Sequence, residues 1–234
     1  MNRERTGRIG IRLLAIVTIL TAMCLTAPAL KAMAGDAEDA QAFVERARIT
    51  FGEFMRDDNY SWMRNHLKDA KGVLIYPQVL KAGYILGGSG GTGVLMVREG
   101  NGGWSHPAFY TMGSVSFGLQ IGGESAEVIM LVMSQKGIDS LLTSKMKLGG
   151  DASAALGPIG GGAEGDVTVD FLSFAKSKGL YAGLNLNGSY ISVRDGLNKA
   201  YYGRDVTPVD IIVKQSVGNK AADSLREELE KAAK

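Results

Sequence analysis

The chain has 234 residues, with 26 basic and 24 acidic side chains and a formal net charge of +2. Residues 1–34 hold five of the basic residues and one of the acidic ones, so the remainder carries 21 against 23, which gives no basic surface of the kind nucleic acids require. Cys24 is the single cysteine and His66 and His106 are the two histidines, which excludes disulfides, thiolate metal sites and a His-rich metal centre beyond residue 34.

Residues 1–34 open with Arg3, Arg5, Arg8 and Arg12, continue through an apolar run from Leu13 to Leu25, and end in Ala32-Met33-Ala34. This charged, apolar, small-residue order is that of a secretory signal, with cleavage expected after Ala34. The apolar run is shorter than the ~20 residues that span a bilayer. An uncleaved anchor is one alternative. Lipidation of Cys24 is another, although Met23 stands where that processing wants a small residue. No later segment has 18 consecutive apolar residues. Residues 35–234 are therefore expected as one mature domain, periplasmic or secreted, soluble or peripheral to a membrane.

From Gly35 to about Lys68 the pattern is helical. Phe43, Ala47, Phe51 and Phe54 recur at spacings of three and four, with Val44 and Met55 beside them. Such a stripe packs on a domain core or lies on a membrane surface. Asp57-Asp58-Asn59 predicts a break, and Tyr60 to Leu67 a short second helix.

Between Lys71 and Val193 short apolar runs alternate with glycine clusters, which predicts strands and tight turns. Val115, Phe117, Leu119 and Ile121 alternate with Ser114, Ser116, Gly118 and Gln120, the period of a strand with one buried face. Lys136 to Lys145 predicts one short helix within this region. Helical patterns return at Asp195–Tyr202, Pro208–Lys214 and Asn219–Lys234. The fold class is α+β: a strongly curved, mainly antiparallel, Gly-rich sheet approaching a barrel, with N-terminal and C-terminal helices packed on it. The clusters Gly87–Gly93 and Gly160–Gly162 are expected to be turns or bulges with residues at positive φ.

Three glycine motifs match a pattern without its context. Gly87-Gly88-Ser89-Gly90-Gly91 has the spacing of a nucleophile elbow, but strand-like residues follow it where the elbow requires a helix. Gly88–Gly93 and Gly160–Gly165 fit the dinucleotide fingerprint, yet neither opens a helix within a βαβ unit. His106 has no recognisable nucleophile to serve and is expected as a turn or half-buried residue. Asp151, Glu164, Asp166 and Asp170 lack calcium-loop spacing and are expected on solvated strand edges. No cofactor motif, metal site or catalytic set results.

The order AKGVLIYPQVLKAGYILGGSGGTGVLMVR, GGWSHPAFYTMGSVSFGLQIGGES, ALGPIGGGAEG and FAKSKGLYAGLNLNGSYISVRDGLNKAYYG is specific where the single motifs are not. It resembles the SYLF domain family over roughly residues 37–215. The resemblance is carried by Lys71-Gly72-Val73, Pro77, Gly87-Gly88, Trp104-Ser105, Pro107, Gly157-Pro158, Lys178–Gly183, Asn198 and Tyr201-Tyr202-Gly203. Eukaryotic members bind phosphoinositide-containing membranes, and some bind and bundle actin. The resemblance implies a lipid-binding module without catalytic residues or cofactor. An exported chain would not meet actin, so the implied partner is a phospholipid surface at a bacterial envelope. It places the contact in the N-terminal segment, at Phe43, Arg46, Arg48, Phe51, Phe54, Arg56 and Lys68. The alternatives are a structural or adhesion-type envelope component, or a hydrolase.

Overall fold

A computed structural model describes residues 36–83, 86–117, 122–160, 168–178, 186 and 188–234. The signal-like segment and most of Gly160–Gly165 lie outside the described residues.

Residues 36–56 form helix α1. Ala40, Val44, Ala47, Phe51 and Phe54 are its fully buried apolar positions, and their alternating spacings of four and three put them on one side of a helix. The Asp57 carboxylate accepts the Asn59 backbone N–H at 3.1 Å and starts a 3-10 turn at Asp58–Tyr60. Helix α2, Ser61–His66, follows directly. The break and the second helix fall where the Asp57-Asp58-Asn59 cluster predicts them.

Eight strands among the described residues make one sheet in the order β5-β8-β3-β2-β1-β4-β7-β6, curved as a half-barrel. They are β1 Gly72–Gly83, β2 Leu86–Val97, β3 Ala108–Phe117, β4 Gly122–Val132, β5 Lys145–Lys147, β6 Ala154–Leu156, β7 Phe171–Lys178 and β8 Tyr190–Val193. Every neighbouring pair is antiparallel except β6 with β7. The α+β architecture expected from the sequence is present. Helix α3, Gln135–Leu141, starts at Ser134, whose hydroxyl accepts the Gly137 N–H at 3.0 Å.

Strand β1 is central, yet it contains Pro77, which has no N–H to give to a ladder. Its pairing with β2 shifts between Ile75 and Gln78, and its pairing with β4 shifts between Tyr76 and Val79. Pro77 therefore sits inside a bulge, the place a central strand tolerates proline. The bulge presses β1 against β2. A Cβ on Gly93 would stand 2.6 Å from the Tyr76 ring, and one on Gly91 would stand 2.4 Å from the Gln78 carbonyl oxygen. These two glycines are required by close approach, not by turn geometry. The expectation of turns or bulges with positive φ at Gly87–Gly93 is corrected in part: these residues lie within β2 and none has positive φ, while the bulge beside them is in β1, opposite Gly93. Gly160 does have positive φ, at 81°.

Both faces of the sheet are covered over its inner half. One face packs Val73, Ile75, Val94, Met96, Phe109 and Phe174 against the buried stripe of α1 and against Leu225 and Leu229. The other packs Tyr76, Leu95, Tyr110, Met112 and Met130 against Ile138 and Leu141 of α3 and against Ile211 and Ile212. Helix α4, Asp195–Tyr202, stops at Gly203, whose φ of 70° supplies the left-handed cap. The buried Asn198 amide of α4 accepts the Phe109 N–H at 2.9 Å and so closes the inner end of β3. A π-helical turn spans Val209–Val213, and a 3-10 turn at Lys220–Ala222 leads into α5, Asp223–Ala232. The single terminal helix expected from Asn219 is thus divided.

Candidate functional site

The sequence-predicted contact residues do not converge on one surface. Phe51 and Phe54 are 1% and 0% exposed, inside the core, and the Phe54 ring packs at a tilt against Tyr60 with ring centroids 4.4 Å apart. Phe43 is half-buried, edge-on to Phe109 at 6.3 Å. Arg46 lies over the Phe43 ring at 5.5 Å and is exposed. Arg48 is committed to ion pairs with Glu45 and Glu228, joining α1 to α5. Its guanidinium hydrogen-bonds the Glu45 carboxyl and holds it below the usual carboxylate range. Arg56 is exposed beside Glu53, Asp57, Asp58 and Lys176, a mixed-charge depression. Lys68 is exposed in the 3-10 turn Leu67–Asp69.

A different surface gathers apolar and basic groups. Residues directly opposite in an antiparallel ladder point to the same side, so the face that packs Phe109 under α1 continues outward along β3 as Thr111, Gly113 and Val115. In register, Gln78, Thr92, Thr111, Ser192 and Lys145 form one row across β1, β2, β3, β8 and β5. The next row outward is Leu80, Gly90, Gly113, Tyr190 and Lys147. Ala82, Gly88 and Val115 follow. The middle of helix α1 borders this region and leaves a cleft of about 420 Å³ between Phe43, Arg46 and Ile49 on one side and Leu80, Gly90 and Thr92 on the other. Ile49, Leu80, Val115 and Tyr190 are 46%, 55%, 72% and 43% exposed. Four large apolar side chains thus face water on one surface.

The charges around this surface are mostly positive. Arg46 stands at the cleft, and the Arg194 guanidinium donates to the Thr92 hydroxyl. Lys145 and Lys147 lie 4.3 and 5.6 Å from the Tyr190 ring centroid. Glu127 is the acidic residue lining the cleft.

The elbow-like serine, His106 and Asp170 have structural roles. Ser89 of the elbow-like motif lies within β2, its Oγ 2.7 Å from Ser114 Oγ on β3. His106 is half-buried, with Nδ1 accepting the Asn219 N–H at 3.4 Å, and burial lowers its pKa. Asp170 corrects the expectation of a solvated edge: it is buried, accepting from Ser134 Oγ and from the Ser153 N–H and hydroxyl at 2.8 Å. It ties the N-terminus of α3 to β6 and β7. Glu164 and Asp166 lie outside the described residues, and Asp151 is exposed. Among the described residues no group of three or more His, Cys, Asp or Glu is placed to hold a metal, and no helix is long and apolar enough to cross a membrane.

The open face was missed in sequence because its glycines resembled turn residues. The signal that could have found it is the alternation Gly88, Gly90, Thr92 along β2 and Thr111, Gly113, Val115 along β3, which is strand periodicity.

Residues 113–232 match the family model described as Ysc84, Las17-binding protein actin regulator. The chain is 35% identical over 175 residues to Protein YSC84 of Saccharomyces cerevisiae, covering 71% of this chain and 37% of that protein. It is 34% identical over 166 residues to SH3 domain-containing protein PJ696.02 of Schizosaccharomyces pombe, covering 68% of this chain and 38% of that one. SH3 domain-containing YSC84-like protein 1 of Homo sapiens is 30% identical over 166 residues, covering 69% and 48%. The chain therefore belongs to the Ysc84 family, also called SYLF. It spans less than half the length of these relatives. No solved structure matches it.

Proposed function

We propose that the mature chain is an exported module that binds phospholipid surfaces at a bacterial envelope and does no chemistry on them. The observation that carries this is the open sheet face, where Ile49, Leu80, Val115 and Tyr190 are exposed beside Arg46, Lys145, Lys147 and Arg194. Apolar groups gain by leaving water, about 25 cal/mol per Å². Each basic group near an anionic surface contributes about 1 kcal/mol, and the contribution shrinks as salt rises. Sites of this composition give reversible association. Residues 1–34 support export, and an exported chain has no access to actin, so the actin regulation in the family description is not carried over. The docked state of α1 moves the proposed contact from the Phe51 and Phe54 stripe to the sheet face, with Phe43 and Arg46 at its border.

Purification of the protein from envelopes, followed by intact mass and lipid extraction, tests this. The expected result is an N-terminus at or near Gly35 and co-extracted phospholipid. A chain that still begins at Met1, or one that carries no lipid and floats with no vesicle, contradicts it.

A further inference from the structure

Glycine inside a strand weakens it relative to alanine, so each one calls for a local cause. On the buried side of β2 the cause is visible, because a Cβ on Gly91 or Gly93 would collide with β1. On the open side a Cβ on Gly88 would stand 3.2 Å from the Ser114 carbonyl oxygen, but at Gly90 and Gly113 the cause is missing. Gly90 and Gly113 lie directly opposite each other on β2 and β3. A Cβ would stand 3.4 Å from the Met112 carbonyl oxygen at Gly90 and 3.9 Å from the Ser89 carbonyl oxygen at Gly113, ordinary contact distances. Neither glycine has positive φ. The fold has room for side chains at both positions and carries none.

What the missing side chains create is a trough. Its floor is the bare backbone at Gly88, Gly90 and Gly113 on the two middle strands. Leu80 of β1 forms one wall, and Tyr190 of β8 forms the other, three strand spacings or roughly 14 Å away. At the inner end stand the hydroxyls of Thr92 and Thr111, with the Arg194 guanidinium on Thr92 and Arg46 across the cleft. The trough is therefore apolar along its floor and its Leu80 wall, with Lys147 beside the Tyr190 wall and a net positive inner end where Arg46 and Arg194 outnumber Glu127.

We infer that this trough receives one acyl chain of an anionic phospholipid, laid over the Gly90–Gly113 floor with its phosphate toward Arg194 and Arg46. The charge pattern selects this occupant: a second apolar protein face would leave both guanidiniums facing it unpaired, and a zwitterionic headgroup would meet them with no net opposite charge. The inference rests on the lipid-binding function proposed above and names the place and polarity of the contact.

The test uses the mature protein and vesicles of phosphatidylglycerol or phosphatidylcholine. Gly90→Val and Gly113→Val fill the floor; Gly100→Val, at an exposed turn with nothing within 4 Å, is the control. Each floor variant is expected to lower partition onto phosphatidylglycerol vesicles at least tenfold while the melting temperature holds or rises, and the control to leave partition unchanged. Arg46→Glu with Arg194→Glu should abolish the preference for phosphatidylglycerol over phosphatidylcholine. A second readout needs no change to the floor: Val115→Trp, at a position already exposed, should show a blue-shifted emission and quenching by brominated phosphatidylglycerol. Wild-type partition with undiminished binding by folded Gly90→Val and no quenching at Trp-substituted position 115 overturns the trough. No partition by the wild type onto any vesicle overturns the lipid-binding function beneath it.

Discussion

At the scale of single residues, the same amino acid does opposite work on the two sides of one strand. Gly93 is held by the Tyr76 ring, so Gly93→Ala should cost about 1–3 kcal/mol through overpacking. Gly90→Ala, three residues outward and so on the alternate face, should be neutral or slightly stabilising. Denaturant titration of the two variants checks the contrast. Asp170 is the other decisive residue. Burial pushes its pKa up, but the hydrogen bonds from Ser134 and Ser153 and the charge of Lys136 outweigh burial and hold it below the ordinary value. A folded pKa below the unfolded one adds stability above the unfolded value, about 3.9, which is lost as pH falls. Asp170→Asn should cost about 2 kcal/mol at pH 7 and flatten the fall in stability below about pH 4, measured by urea unfolding across pH. Neither role was legible in sequence. A glycine does not announce whether it avoids a neighbour or leaves space for one, and a carboxylate near a predicted turn gives no sign of the three donors the fold brings to it.

At the scale of elements, α1 was legible as a helix with one apolar stripe, but the stripe alone did not decide between core and membrane. Periodicity reports which side is apolar, not what lies against it. Packing decides: Phe51 and Phe54 meet the inner half of the sheet. Phe51→Ala should cost about 3–5 kcal/mol and lower the melting temperature by roughly 10 °C in a chain of this size. The result that contradicts docking is lost vesicle binding with an unchanged melting temperature. The Arg48 ion pairs between α1 and α5 are partly exposed, so Arg48→Ala should cost no more than about 1 kcal/mol, and less at high salt. The strands are legible from alternation and turn spacing, but Gly87–Gly93 is not, because the local signal for a turn and for a side-chain-free strand is the same residue.

At the scale of the whole molecule, the topology explains how one surface can stay open. Strand β1 pairs with β2 on one side and β4 on the other, and the β8 and β7 pairings extend the sheet from there. Helices α1 and α5 cover one face only over its inner half, and the long strands β1–β4 run beyond them. The outer half therefore presents in-register glycines, four exposed apolar side chains and four basic groups on one side. That arrangement depends on pairings between residues as far apart as Thr111 and Ser192, which no local pattern in the chain records. The most direct measurement of its use is flotation of the mature protein with phosphatidylglycerol and phosphatidylcholine vesicles at low and high salt. The account predicts flotation with phosphatidylglycerol that weakens several-fold as salt is raised past the physiological range, and little with phosphatidylcholine. Equal flotation with both lipids at every salt concentration, or none with either, would contradict it.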